Sequence, residues 1–270
     1  MLRKMALTLG AVGTAAGLLP LPAAAQTDDA WRFQAVLYGY FPDINGKSTF
    51  STSGGTPSIT VDSDKIIDSL KFAFMGEIEA HKGRWGVLTD VLYMNLGGGK
   101  SATRDLSIGG VQLPAGITAN ANLDVKGTVW ELAGMYTLVN DPAATLNLVG
   151  GARALDYKQT LSWEFSADLG PAQPSRSGSS VTKLTNWDAI VGVKGRLAFG
   201  ADRAWFVPYY FDVGGGDSKF TWQALAGVGY AFNWGDVVAG WRYLDYDFKS
   251  GSKLENANFS GPLVGLAFHW

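Results

Sequence analysis

The chain has 270 residues, 47% hydrophobic and 13% aromatic, with 35 Gly but only 17% charged residues, where ordinary soluble domains carry about a quarter. A formal net charge of -2 supplies no basic footprint and argues against nucleic acid as a partner. The sequence has no Cys, so disulfides are excluded and stability has to come from strand pairing and burial.

Residues 1–25 read as a cleaved signal peptide. Arg3 and Lys4 precede an apolar stretch from Met5 to Leu21, and Ala23, Ala24 and Ala25 supply the small-x-small pattern of a cleavage site. Pro20 and Pro22 interrupt that stretch, which argues against a retained anchor. No later segment approaches the ~18 continuous apolar residues of a spanning helix. If the mature chain, 26–270, resides in a membrane, it must do so as a β-barrel.

Ten strand-like runs follow. The first, Trp31 to Phe41, is separated by a long polar stretch to about Ser69 from Leu70 to His81, and Lys82 and Gly83 lead into Arg84 to Leu96. A Gly-rich loop precedes Asn120 to Leu138, and Asn140, Asp141 and Pro142 turn the chain into Thr145 to Trp163. After a Pro/Ser/Gly stretch from Ser166 to Ser180 come Val181 to Phe199, Arg203 to Val213, Ser218 to Phe232, Asp236 to Phe248 and the final Gly261 to Trp270. Short and long connections alternate, with Gly214 to Asp217 the one short link on the long side. The pattern predicts an all-β fold: a transmembrane antiparallel up-and-down β-barrel of ten strands, with short periplasmic turns and longer extracellular loops.

Parity within the runs separates two faces. Trp187, Ala189, Val191, Val193, Leu197 and Phe199 oppose Asp188, Gly192, Lys194 and Arg196, and Trp205, Val207, Tyr209, Phe211 and Val213 oppose Pro208, Tyr210 and Asp212. Trp31, Phe33, Ala35, Leu37 and Phe41 likewise oppose Arg32, Gln34, Tyr38 and Tyr40. A charge on the lipid face near the midplane costs up to ~2–4 kcal/mol, so the apolar set is expected outside. Near Lys126 and Gly127 the polar parity switches, from Asn120, Asn122, Asp124 and Lys126 to Glu131 and Thr137, which suggests a bulge or a strand rising above the bilayer. A periplasmic lipocalin-like binder is the soluble alternative, and it would need a polar exterior. Aromatic residues gather at strand ends: Trp31, Trp85, Phe199, Trp205, Trp234 and Trp270 on the periplasmic side, and Phe41, Phe72, Tyr93, Phe211, Trp222 and Tyr243 on the other. Two interfacial girdles are expected of such a barrel.

The last run, "GPLVGLAFHW", places Val264, Leu266, Phe268 and Trp270 on one parity. It resembles the terminal assembly signal of Gram-negative outer-membrane proteins, matched by Gly265, Phe268 and Trp270, with Leu263 standing where a polar residue is more usual. "AGWRYLDYDF", with its inward Arg242, looks like the penultimate strand of small proteobacterial barrels. The mature chain as a whole resembles an uncharacterised family of such barrels, in the small porin-like or opacity-type superfamily. The resemblance implies residence in the outer membrane of a Gram-negative bacterium. Its implied partners are outer-membrane lipid, lipopolysaccharide and, during biogenesis, the barrel-assembly machinery.

Parity directs Arg32, Lys71, Glu77, Glu79, Asp90, Glu131, Arg153, Asp188, Lys194, Arg196, Asp212 and Arg242 into the lumen. Barrels of about eight strands are just filled by side chains, so with ten strands and both signs of charge a packed ion-pair lattice is expected. The expected function is non-enzymatic, a binding or envelope-structural role. The alternative is a narrow passive channel for small solutes or ions lined by the same charges. Enzymatic outer-membrane barrels, such as omptin proteases, lipid A palmitoyltransferase and deacylase, and phospholipase A, use a His toward the outer side. Both His of this chain, His81 and His269, fall at the periplasmic rim, so no catalytic residues are expected. Nothing implies a cofactor or metal. Asp43 to Gly46 begins like a calcium loop but lacks its closing ligands and reads as a turn, and Gly97 to Lys100 lacks the rest of a phosphate loop. Ser63 to Leu70 is expected to form one or two helical turns capping the outer mouth, with a plain loop as the alternative.

Overall fold

The computed structural model describes residues 30–48, 58–61, 70–97, 117–167, 175–252 and 254–270. They form twelve strands: β1 (Trp31–Tyr40), β2 (Asp43–Ser48), β3 (Ser58–Val61), β4 (Leu70–Lys82), β5 (Trp85–Gly97), β6 (Ile117–Asp141), β7 (Ala144–Ala167), β8 (Ser175–Phe199), β9 (Trp205–Gly216), β10 (Ser218–Phe232), β11 (Gly235–Phe248) and β12 (Leu254–His269). β1 and β4 through β12 each pair antiparallel with the next in the chain, and β1 closes on β12 from Gln34↔His269 to Tyr40↔Leu263. The result is the expected ten-stranded up-and-down barrel. Closure leaves the wall no free edge and pairs its backbone groups strand to strand, as a hydrocarbon surrounding requires.

One end of the barrel is built from short turns. Lys82 pairs with Trp85, so Gly83 and Arg84 alone reverse the chain, with Gly83 at φ 60° in the left-handed region that glycine enters at no steric cost. At the other end β6, β7 and β8 run 25, 24 and 25 residues. Each is about 80 Å long at ~3.3 Å per residue, whereas ~9–11 residues cross a bilayer, so all three rise far above the rest of the wall. Their pairing is continuous through Lys126 and Gly127, with no bulge there. Val125 and Val129 point in and Lys126 points out. Of the two expectations for that segment, the strand rising above the apolar belt is the one that holds. The Ser166 to Ser180 stretch, expected as a loop, contributes strand on both sides, because β7 and β8 continue to the pair Ser166↔Ser175.

A further correction concerns the first long connection. Asp43 to Gly46 is not a turn but part of β2, which pairs with β12 above the point where β12 leaves β1, and β3 pairs with β2 in turn. The partner of β12 changes at Gly261 and Pro262, and the Phe41 amide donates to the Pro262 carbonyl there at 3.0 Å. A Cβ on Gly261 would lie 2.2 Å from the Phe41 carbonyl oxygen, so only glycine admits so tight a corner. The helical turns expected for Ser63 to Leu70 lie outside the described residues apart from Leu70, which opens β4; residues 98–100 and the signal peptide, 1–25, also lie outside them.

The outward face is apolar, as parity predicts: Val191 is 61% exposed and Trp187, Leu197, Phe199, Trp205 and Phe211 are all exposed. At the short-turn end the aromatic ring of the wall includes Trp31, Phe33 and Trp270 in one stack, with centroids 5.9 and 5.8 Å apart. Toward the other end Trp222 stacks on Tyr243 and meets Phe211 at a tilt, across neighbouring strands. Trp222 and Phe232 stand ten residues apart on β10, about 33 Å along the strand and ~25 Å along the axis at the usual tilt, the height of a bilayer's apolar band.

Inside, the half toward the long strands holds an apolar core. Tyr40, Leu92, Val129, Leu155, Leu244, Tyr246, Phe259 and Leu263 come from six strands of the wall and meet in the lumen. Each fully buried aliphatic side chain contributes roughly 1.5–3 kcal/mol, so this core stiffens the half of the barrel toward the long strands. Leu263, the residue at odds with the terminal signal, is 5% exposed and belongs to it.

Candidate functional site

Below the apolar core lies a polar layer organised by two arginines. Arg153 on β7 is wholly buried; it donates to Glu131 on β6 at 3.2 Å, to Asp212 on β9 and to Thr221 on β10 at 3.5 Å. The Tyr210 hydroxyl completes the cluster, donating to Glu131 at 2.5 Å. Arg242 on β11 donates to Asp90 on β5 at 2.9 Å, to Gln223 on β10 at 2.8 Å and to the Tyr38 hydroxyl on β1 at 2.9 Å. Tyr38 in turn donates to Asp90 at 2.5 Å. A buried guanidinium is tolerable only when its donors are met, and each has partners from three or more strands.

Toward the short-turn end Lys194 on β8 reaches across the lumen to Glu77 and Glu79 on β4, at 2.6 and 2.7 Å. β5, β6 and β7 stand between those strands in the wall. Around this tie and below the arginine layer lies a cavity of about 200 Å³ whose lining runs from Thr145 and Asp236, at the second positions of β7 and β11, up to Arg242 and Glu131. Its lining carboxylates are Glu77, Glu79, Asp90, Glu131 and Asp236, and its cations are Lys194, Arg196 and Arg242. At the rim His269 shares a hydrogen bond with Asp236 at 3.0 Å and His81 one with Glu79 at 2.8 Å. Both histidines thus stand at the short-turn end, where the sequence places them.

Among the residues directed inward by parity, Glu77, Glu79, Asp90, Glu131, Arg153, Lys194, Asp212 and Arg242 join these clusters. Arg196 lies at the rim, bonded to Asp236 at 3.3 Å and stacked over Phe206 at 4.0 Å. Two expected members fall outside the lattice. Arg32 has inward parity but is exposed at the start of β1, where it pairs with His81 at the mouth of the barrel. Asp188 is buried, yet its partners are neutral: the Ser218 amide donates to it at 2.8 Å and the Asn186 amide group at 2.6 Å. It anchors the single-residue turn at Asp217 between β9 and β10, which explains the one short connection at the long-strand end. The Lys71 side chain lies outside the described residues. Gln223, Tyr210 and Asp236 are further members of the lattice that the sequence reading leaves out, although all three have inward parity, Asp236 standing six residues from Arg242 on β11.

The terminal residues close the seam. Phe33 and Trp270 exchange backbone hydrogen bonds of 2.8 and 3.1 Å, and their rings stack on the outer face. Phe268 lies on the same face against Trp234, while Gly265 faces inward and lines the cavity.

This architecture, a closed ten-stranded antiparallel barrel with an apolar outside and a charged inside, is that of outer-membrane β-barrels. The outer membrane protease OmpT from Escherichia coli shares the fold at a TM-score of 0.55, with 12% identity over 92% of this chain and 99% of that one. The translocator domain of autotransporter NalP from Neisseria meningitidis (TM-score 0.33, 16% identity, 90% of this chain and 89% of that one) and Ail of Yersinia pestis (TM-score 0.28, 10% identity, 90% and 100%) are more distant in shape. No protein-family model and no curated protein sequence matches the chain.

Proposed function

We propose that this is an integral outer-membrane barrel with a side-chain-filled lumen, non-enzymatic, serving a binding or envelope-structural role. The short-turn end faces the periplasm and the long strands face outward. The observation that carries the reading is the double obstruction of the lumen. Leu155, Leu244, Tyr246 and Phe259 fill the outer half, and the Arg153 and Arg242 clusters tie opposite walls together beneath them. An aqueous path would have to break both layers. Planar-bilayer recordings of the purified protein are expected to show no reproducible open steps, and regular steps would overturn the proposal.

The cavity favours one second reading, a narrow passive channel for small ions or solutes whose lower vestibule it would be. The same recordings separate the two. Against an enzyme stands the placement of both His at the periplasmic rim, each occupied by a carboxylate. A zymogram or a lipid A mass spectrum altered by expression would reverse that inference. Recovery in the outer membrane with heat-modifiable migration tests the address, and release with the soluble periplasm would refute it. Outer-membrane lipid, lipopolysaccharide and the barrel-assembly machinery are the partners this reading implies.

A further inference from the structure

Three lysines face one another across the raised part of the wall. Lys126 on β6 pairs directly with Lys158 on β7, and Lys158 with Lys183 on β8. All three point outward and are exposed, and none forms an ion pair among the described residues. Adjacent strands stand ~4.8 Å apart, so the row is about 10 Å wide, and like charges directly opposite one another repel. The row below holds Thr128, Asp156 and Thr185, and there the Thr185 hydroxyl donates to Asp156 at 3.0 Å, satisfying that carboxylate without a lysine.

The height of the row identifies what would neutralise it. Trp130 and Trp187 meet edge to face on the outer surface with centroids 5.9 Å apart, and each lies four residues nearer the short-turn end than the lysine on its own strand. Four residues is about 13 Å along the strand and ~10 Å along the axis. Indole rings settle at the headgroup level, so the lysines stand just beyond it, where the phosphates of an outer-leaflet lipid lie. A free protein surface gains nothing from this repulsion. A surface that docks a phosphorylated lipid gains charge-assisted hydrogen bonds from three converging ammonium groups.

We propose that Lys126, Lys158 and Lys183 form a docking site for the phosphorylated saccharide headgroup of a lipid in the outer leaflet, with its acyl chains lying along the apolar face near Trp130 and Trp187. The inference rests on the outer-membrane reading and on the outward direction of β6 to β8. Its test uses the full folded barrel in detergent, native mass spectrometry, and diphosphoryl lipid A as the probe. Wild-type protein is expected to retain one lipid A, and the Lys126→Gln/Lys158→Gln/Lys183→Gln variant to retain it about a hundredfold less, from roughly fivefold per lysine near an anionic surface. A Lys219→Gln/Lys249→Gln variant, which removes two charges elsewhere at the same end, is expected to bind as wild type. Heat-modifiable migration of each variant confirms folding and, with fractionation, reports separately on the outer-membrane reading. Equal retention by the triple variant overturns the proposal, as does displacement of lipid A by inorganic phosphate at matched ionic strength, which would mean the row takes the free anion.

Discussion

Arg242 on β11 and Asp90 on β5 meet at 2.9 Å across the lumen, with β12, β1 and β4 between them on the shorter way round the wall. Asp90 is 7% exposed, and its other described partner is the Tyr38 hydroxyl. Arg242→Ala therefore strands a buried carboxylate, and a loss of roughly 3–5 kcal/mol is expected. Asp90→Asn in the Arg242→Met background removes both charges and should recover most of that loss. Urea unfolding followed by heat-modifiable migration measures both, and an Arg242→Ala barrel as stable as wild type would show the tie to be idle.

The two sides of the wall should respond oppositely to the same kind of change. Leu155 is 1% exposed in the apolar core, so Leu155→Ala is expected to cost about 2–5 kcal/mol through lost contacts and a cavity. Val191 faces out on β8 and is among the most exposed apolar residues. Val191→Ala should be nearly neutral in lipid, whereas Val191→Arg should cost ~2–4 kcal/mol. If Val191→Arg were tolerated in bilayers, the outward face would not be the lipid face.

At the seam, Trp270 contributes both backbone and ring. Trp270→Ala keeps the backbone exchange with Phe33 and loses only the stack, a difference of about 0.5–1.5 kcal/mol. Deleting Trp270 removes the hydrogen bonds too and is expected to slow refolding into vesicles far more than the alanine variant does. Equal refolding rates for the two variants would assign the residue's whole effect to its ring.

The barrel was legible in the sequence because alternation and connection length are local properties: Trp187 to Phe199 and Trp205 to Val213 carry their two faces in plain view. The inward charges were legible for the same reason. Their partners were not, since which lysine meets which glutamate across the lumen depends on how ten strands are staggered, and Lys194 finds Glu77 and Glu79 with three strands between. The meaning of parity also inverts with height. Within the belt polar residues face in, but above it water lies outside, so Lys126 faces out and Val125 in. β2 was hidden because Asp43, Asn45 and Gly46 are turn residues by composition and form a strand only through pairing with β12.

One of the close approaches of two strands occurs at Gly192, which pairs with Asp212 of the Arg153 cluster. A Cβ at Gly192 would lie 2.1 Å from the Phe211 carbonyl oxygen and 2.7 Å from the Asp212 Cβ, both parts of β9 that cannot swing aside. Gly192→Ala must therefore push β8 from β9 and move Asp212 away from Arg153, at an expected cost of ~1–3 kcal/mol. Gly150 is the matched control, for a Cβ there meets nothing within 4 Å, and Gly150→Ala should be neutral or gain up to ~1 kcal/mol by restricting the unfolded chain. Unfolding midpoints of the two variants in the same detergent test the contrast. Equal midpoints would mean that the β8–β9 contact yields without disturbing the buried cluster it supports.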